Sequence, residues 1–214
     1  MTNKSLEDRI QRLEDLHEIQ NLMSRYEYCH TASKHEETAR MFAQKAPDVR
    51  AEVNNIWGVY EGQESIWRLY VGVHEHSDGD DRKGRMFMHT LTTPVIEVAG
   101  DGKTAKGLWI SPGNETKMID GKLQPYWAWC KYGVDFIKED GEWKFWHVKV
   151  YGIFLCPYDK SWVDAPVGTF TPKPPELMGD KESEYNWMYS TDAVTEDIPA
   201  PPVPYETWDD KSMA

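Results

Sequence analysis

Arg85-Met-Phe-Met-His-Thr-Leu-Thr-Thr-Pro-Val-Ile-Glu-Val98 is made of β-branched, aromatic and methionine residues and runs into Ala99-Gly-Asp-Gly102, a strong turn signal. Beyond that turn, Lys103-Thr-Ala-Lys-Gly-Leu-Trp-Ile110 reads as the returning strand of a hairpin. His89 stands mid-strand among apolar neighbours, which aims its ring into a core or a pocket rather than into water. Two readings follow: a buried histidine satisfied by hydrogen bonds, or a proton-transfer group lining a cavity.

Downstream of the hairpin, Ser111-Pro-Gly-Asn-Glu115 reads as a turn region, with Gly113 at its centre. Asp120-Gly121 then starts a long strand from Leu123 to about Lys138, and Asp140-Gly141 is the tight turn into a last strand, Trp143 to Leu155. Upstream the pattern is helical. Ser5-Leu-Glu-Asp8 carries an N-cap signature, and Leu6, Ile10, Leu13, Leu16, Ile19, Leu22, Met23 and Tyr26 keep helical spacing to about Thr31. Tyr26 and His30 are four apart and so share one face. A short helix follows over Ser33 to Phe42, and Pro47-Asp48 breaks it. Asp48 to Val53 and Ile56 to Tyr60 read as short strands turning at Asn54-Asn55, and a third helix covers Gly62 to about Val73. Helices first and strands afterwards indicate an α+β fold, with helices on one face of a mostly antiparallel sheet.

From Pro157 the composition changes. Thr171-Pro-Lys-Pro-Pro175 and Pro199-Ala-Pro-Pro-Val-Pro204 suit neither helix nor sheet, yet Trp162, Phe170, Tyr185, Trp187, Tyr189, Tyr205 and Trp208 punctuate the segment. Disordered linkers rarely carry so many aromatics. The chain therefore divides into a domain over residues 1–160 and an extended arm over 161–214, docked on the domain or on a neighbouring subunit.

The 214 residues suffice for one domain with a sizeable core, and the net charge of −12 disfavours nucleic acid and anionic membrane surfaces. There is no long apolar run and no signal-peptide pattern, and the three cysteines, Cys29, Cys130 and Cys156, lie far apart. A reduced, cytoplasmic protein without a cysteine zinc site is the expectation. His74-Glu-His-Ser-Asp78 and the acidic residues up to Gly84 read as a solvated charged loop, with a metal site as the less favoured alternative. Ten Trp and eleven Tyr residues suit either a pocket for a flat or polycyclic ligand or an oligomer interface. Nucleotide-binding and zinc-protease motifs are absent.

The helix ending in Arg25-Tyr26, the hairpin from Met88 to Gly107 and Asp140-Gly-Glu-Trp-Lys-Phe145 together resemble the SnoaL-like branch of the nuclear transport factor 2-like superfamily. The likeness spans roughly residues 8–160. It implies a curved sheet wrapped round a conical pocket, helices closing its back, and a homo-oligomer, most simply a homotrimer. The branch includes cofactorless enzymes such as scytalone dehydratase, bile-acid 7α-dehydratase, polyketide cyclases and a diarylpropane lyase. His89 matches the general acid/base histidine of the dehydratases, and Tyr26 matches their pocket tyrosine. Thr31-Ala32 stands where they carry the aspartate that partners the histidine, so that carboxylate is missing.

Proton abstraction followed by loss of a hydroxyl or a carbon fragment needs a base, an acid and a donor where negative charge develops. His89 could serve as base, Tyr26 or Tyr132 as acid or oxyanion donor, and Lys149 as a stabiliser of a phenolate or enolate. His30, Trp109, Trp129, His147 and Tyr151 are candidate substrate contacts. Strand parity puts Phe145, His147, Lys149 and Tyr151 on one face and Trp146, Val148, Val150 and Phe154 on the other, and either face could line the pocket. For Lys149 and His147 the alternative is a solvated or subunit-facing surface, and for Tyr26 a core tyrosine. The expected activity is a cofactor-independent lyase, of dehydratase or deformylase type, acting on a hydroxylated aromatic or polycyclic compound. An isomerase or cyclase, favoured by a buried carboxylate such as Glu97 or Asp135 facing His89, and a non-catalytic binder are the alternatives.

Overall fold

The computed structural model describes residues 5–53, 57–79, 81–168, 173–183 and 188–209. The Asn54-Asn55 turn and the aromatics Phe170, Tyr185 and Trp187 lie outside the described residues.

Helix α1, Leu6–Thr31, begins on a full capping box: Ser5 Oγ accepts from the Asp8 amide, and the Asp8 carboxylate accepts from the Ser5 amide. Its first two turns leave Leu6, Ile10 and Leu13 exposed, whereas Asp15, Ile19, Met23 and Tyr26 are buried. The short helix α2, His35–Ala39, leads to strands β1, Arg50–Val53, and β2, Val59–Glu61. The third helical run, α3, consists of Gly62–Trp67, a π-helical stretch Arg68–Val73 and a last turn His74–Asp78. It extends beyond Val73 into the stretch read as a solvated loop, and Asp78 at its end is buried. That expectation is corrected by packing: His35 on α2 pairs with Asp78, Nε2 to Oδ2 at 2.9 Å, and draws the segment inward.

Strands β3, Met86–His89, β4, Thr92–Val98, β5, Thr104–Ile119, β6, Lys122–Glu139, and β7, Glu142–Pro157, complete one seven-stranded sheet in the order β2-β1-β7-β6-β5-β3, with β4 also paired to β5. All pairs are antiparallel except β1 with β7. Asp120-Gly121 and Asp140-Gly141 each place both residues at positive φ, the geometry that two-residue hairpin turns require. Two details differ from the linear reading. The stretch from Arg85 to Val98 is two strands, interrupted at Thr90-Leu91, and within the second the register against β5 shifts where Thr93 takes φ 50°. Ser111-Pro-Gly-Asn-Glu115 is the interior of β5 rather than a turn, paired with β6 throughout.

The concave face of the sheet and the helices enclose one continuous core, in which Tyr26, Phe42, Tyr70, Phe136 and Phe145 meet. A bulge sets the faces of β7: Asp135 pairs with His147 and Phe136 with Phe145, so Trp146 is the extra residue. Phe145 therefore falls on the concave side with Val148 and Val150, whereas His147, Lys149 and Tyr151 face outward, which corrects the simple parity. The outer face carries part of the C-terminal segment. Tyr205 and Glu206 accept backbone hydrogen bonds from Gly100 and Asp101, Lys106 pairs with Asp209, and Trp208 packs 4.5 Å from Trp146. No helix among the described residues is long and apolar enough to cross a membrane.

Candidate active site

Between the concave face and helices α1 and α3 lies a cavity lined by Tyr26, His30, Tyr70, His74, Phe87, His89, Glu115, Lys117, Trp129, Cys130, Tyr132, Val150 and Gly152, among others. Alternation along β3 explains its wall: Met86 and Met88 point outward and are exposed, while Phe87 and His89 point in. His89 pairs with Gly113 on β5, so Glu115 and Lys117 follow on the same inward face.

His89 Nε2 stands 3.3 Å from Glu115 Oε1, and Lys117 Nζ stands 2.8 Å from Glu115 Oε2. Burial works against a charge on His89, but the neighbouring Cys130 thiol and Glu115 carboxylate outweigh it and hold the imidazole well above its ordinary pKa. Burial likewise penalises the Glu115 carboxylate, and Lys117 with His89 overcomes this, keeping it well below the usual carboxylate range. Cation, anion and cation thus form a row along the wall. Gly113 makes room for it: a Cβ there would come within 2.7 Å of His89 Nδ1 and 2.5 Å of the Ala128 carbonyl oxygen. From the opposite side Glu27 on α1 accepts a hydrogen bond from the His89 backbone amide at 2.9 Å. Burial raises the Glu27 carboxyl, with His89 pulling the other way.

A second histidine group faces this row. The His30 ring lies 5.4 Å from the His89 ring, 5.1 Å from His74 and stacked on Tyr26 at 6.1 Å. Burial, reinforced by His74 and His89, holds His30 well below its ordinary pKa, and its buried Nδ1 has no hydrogen-bond partner among the described residues. His74 stacks on Tyr70 and gives Nδ1 to the Leu69 carbonyl at 2.8 Å; burial lowers it to about 4. Tyr26 and Tyr70 share a hydrogen bond of 3.2 Å, and burial keeps Tyr26 and Tyr132 protonated far above neutral pH. The cavity therefore offers a cationic imidazole, neutral imidazoles and phenolic donors side by side. Among the described residues no group of three or more His, Cys, Asp or Glu side chains is arranged to hold a metal ion.

Of the residues singled out from sequence, Tyr26, His30, His89, Trp129 and Tyr132 line the cavity, whereas Trp109, His147, Lys149 and Tyr151 do not. Trp109 lies over Gly107 and edge-on to Phe136 in the core. His147 is fully buried on the outer side, with Nδ1 2.9 Å from Asp135 and Trp208 packed near it. Lys149 pairs with Glu52 at 3.0 Å and lies over the Tyr151 ring on the same outer side. Neither Glu97 nor Asp135 faces His89: Glu97 binds Arg12 at 2.6 Å, and Asp135 holds His147. Glu115, Lys117, His74, Arg85 and Lys173 are among the lining residues the linear reading missed, as is Glu27, which holds the His89 backbone from behind. Alternation from Gly113 would have found Glu115 and Lys117 once β5 was read as continuous. Nothing in the sequence marks Glu27.

The SnoaL-like domain model matches residues 11–149. No curated protein sequence matches the chain. Several solved structures share the fold. LinA superposes with a TM-score of 0.59 at 16% identity, covering 78% of this chain and 99% of its own. A hexachlorocyclohexane dehydrochlorinase, LinA-type3 from Novosphingobium barchaimii, gives 0.56 at 20% identity over 77% and 99%. A protein described as a candidate scytalone dehydratase from Novosphingobium aromaticivorans gives 0.57 at 15% identity, again over 77% and 99%. At these identities the likeness establishes the fold alone. With about two thirds of its length matched by the domain model, the chain belongs to the SnoaL-like family.

Proposed function

We propose that the protein is a cofactor-independent lyase that acts on a hydroxylated aromatic or polycyclic small molecule by general acid/base catalysis centred on His89. The observation that carries this reading is the buried His89–Glu115 pair, 3.3 Å apart in the wall of an aromatic cavity. Glu115 takes the orienting place that Thr31-Ala32 leaves empty. Its carboxylate favours the protonated imidazole, so resting His89 is a proton donor. His30, kept neutral by burial beside it, is a proton acceptor. Two like groups driven apart in pKa supply acid and base in one site.

Elimination then runs as follows. The neutral imidazole removes a proton from carbon, the C–H electron pair becomes the new double bond, and the hydroxyl leaves as water with the proton of His89. Loss of a hydroxymethyl carbon as an aldehyde uses the same groups, with the base on the hydroxyl proton and the acid on carbon. Tyr26 and Tyr132, both neutral, are donors for an oxyanion. Lys149 has no part in this scheme. The names of the structural neighbours, a dehydrochlorinase and a candidate dehydratase, speak of eliminations and support this class. Cytoplasmic location and a homotrimer are the setting we expect, and light scattering measures the latter.

A buried carboxylate facing His89 also favours a second reading, an isomerase or cyclase that shifts a proton without losing a group. Hydroxylated steroids, naphthols and diaryl diols, incubated without cofactor with wild type and His89→Ala, separate the two. Loss of water or formaldehyde by mass, absent in the variant, supports the lyase. Unchanged mass with a shifted spectrum supports the isomerase. Equal turnover by both proteins would remove His89 from the mechanism.

A further inference from the structure

We propose that Arg85 and Lys173 form an anion-binding corner of the cavity, and that the aromatic substrate carries a carboxylate which docks there. The proposal rests on the reading of this cavity as the substrate site. Both side chains line it, and both converge on one residue of α3. The Arg85 guanidinium donates to the Ser77 carbonyl oxygen, and Lys173 Nζ donates to Ser77 Oγ at 2.7 Å. Two cations drawn to one serine repel each other. In a chain of net charge −12, a carboxylate partner for each would be easy to supply.

None is supplied: neither Arg85 nor Lys173 makes an ion pair among the described residues. The carboxylates that line the cavity are engaged elsewhere. Glu115 is held by Lys117 and His89, and Asp78 by His35 at 2.9 Å and by Arg82 at 3.5 Å. Arg85 Nε is buried with no hydrogen-bond partner among the described residues. An unsatisfied guanidinium N–H is costly to bury, and an incoming carboxylate removes that cost while separating the two like charges. Burial lowers the Lys173 ammonium from its ordinary range, and Lys117 and Arg85 add to the shift more than Asp78 opposes it. Lys173 also lies 5.7 Å above the Trp57 ring, which brings an aromatic surface to the corner. A flat aromatic acid matches both features.

Binding of 2-naphthoate and of its neutral isostere 2-naphthamide, followed by calorimetry and by tryptophan fluorescence, tests this without requiring turnover. Wild type should prefer the carboxylate by about tenfold or more, the scale of a charge-assisted hydrogen bond. Arg85→Met and Lys173→Met should each reduce that preference and the double variant should erase it, while Arg85→Lys, which keeps the charge, should retain part of it. Equal affinity of wild type for both ligands overturns the proposal. So does failure to bind naphthoate at millimolar concentration, or a preference that survives in a folded double variant. If the preference is found but no substrate panel is turned over, the lyase reading fails and the anion site stands. Turnover lost in His89→Ala, with no preference for the anion, sinks the anion site alone.

Discussion

His89 and Glu115 face each other across the β3–β5 pair at 3.3 Å, although His89 ends its strand and Glu115 sits deep inside another. The register His89 to Gly113 brings them together, and Lys117 fixes the carboxylate from its far side. Removing the charge while keeping the shape tests what this contact does. In Glu115→Gln, burial acts on His89 with less opposition, so its pKa should fall toward or below 6.5, as read by NMR titration of the ring protons. Turnover should drop about a hundredfold, the lower end of what a positioned acid/base group contributes. An unmoved His89 titration would assign its elevated pKa to another neighbour.

The same pair imposes a direction on the pH dependence of stability. His89 has a raised folded pKa, so its contribution is complete below the unfolded value of about 6.5 and is lost as pH rises through the folded one. Glu115 has a depressed pKa, so its contribution is complete above an unfolded value of about 4.3 and is lost only as pH falls through the folded one. Both are present together in mildly acidic solution. The excess melting temperature of wild type over Glu115→Gln should therefore be largest near pH 5.5 and shrink as pH rises from about 6.5 through the folded pKa of His89. Part should persist, since Lys117 still pairs with Glu115. Scanning calorimetry across that range reads it; a difference growing with pH would contradict the charge assignment.

How far the sequence foretold this site differs from residue to residue. The α1 helix was legible from its capping box and spacing, and the Asp-Gly turns from their backbone demand, because these signals are local. Tyr26 and His30 were brought together by helical periodicity alone. Glu115 was hidden because Pro112 and Gly113 precede it, and both residues signal turns. Here Gly113 instead clears space for a histidine ring from the next strand. The outward placement of Lys149 depended on the bulge at Trp146, a pairing event that no single strand announces. Glu27 is one of many acidic residues on α1, and only the tertiary approach of β3 distinguishes it.

Gly113 has no side chain because the Ala128 and Met88 carbonyl oxygens and the His89 ring occupy the space a Cβ would take. In Gly113→Ala the methyl meets the Ala128 carbonyl oxygen at 2.5 Å, which is backbone and cannot step aside, and His89 Nδ1 at 2.7 Å. We expect a loss of about 1–3 kcal/mol in urea unfolding, the usual cost of overpacking. Turnover should fall further than folding accounts for, since the ring is pushed from its place beside Glu115. Wild-type turnover in this variant would show that the position of the His89 ring is not critical.

Asp15 provides the complementary control, because it holds α1 to the sheet away from the cavity. It is buried and accepts from Trp143 Nε1 at 3.0 Å and from Lys138 Nζ at 2.5 Å. In Asp15→Ala, Lys138 is partly exposed and can turn to water, but Trp143 is buried and its N–H loses its partner. Leaving one buried donor unsatisfied costs about 1–3 kcal/mol. Asp15 does not line the cavity, so the variant should melt earlier while keeping the wild-type pH profile and, at temperatures where it is folded, nearly wild-type turnover. A shift in the pH profile would mean that the seating of α1 at Asp15 governs the Glu27 contact to His89, three turns further along the same helix.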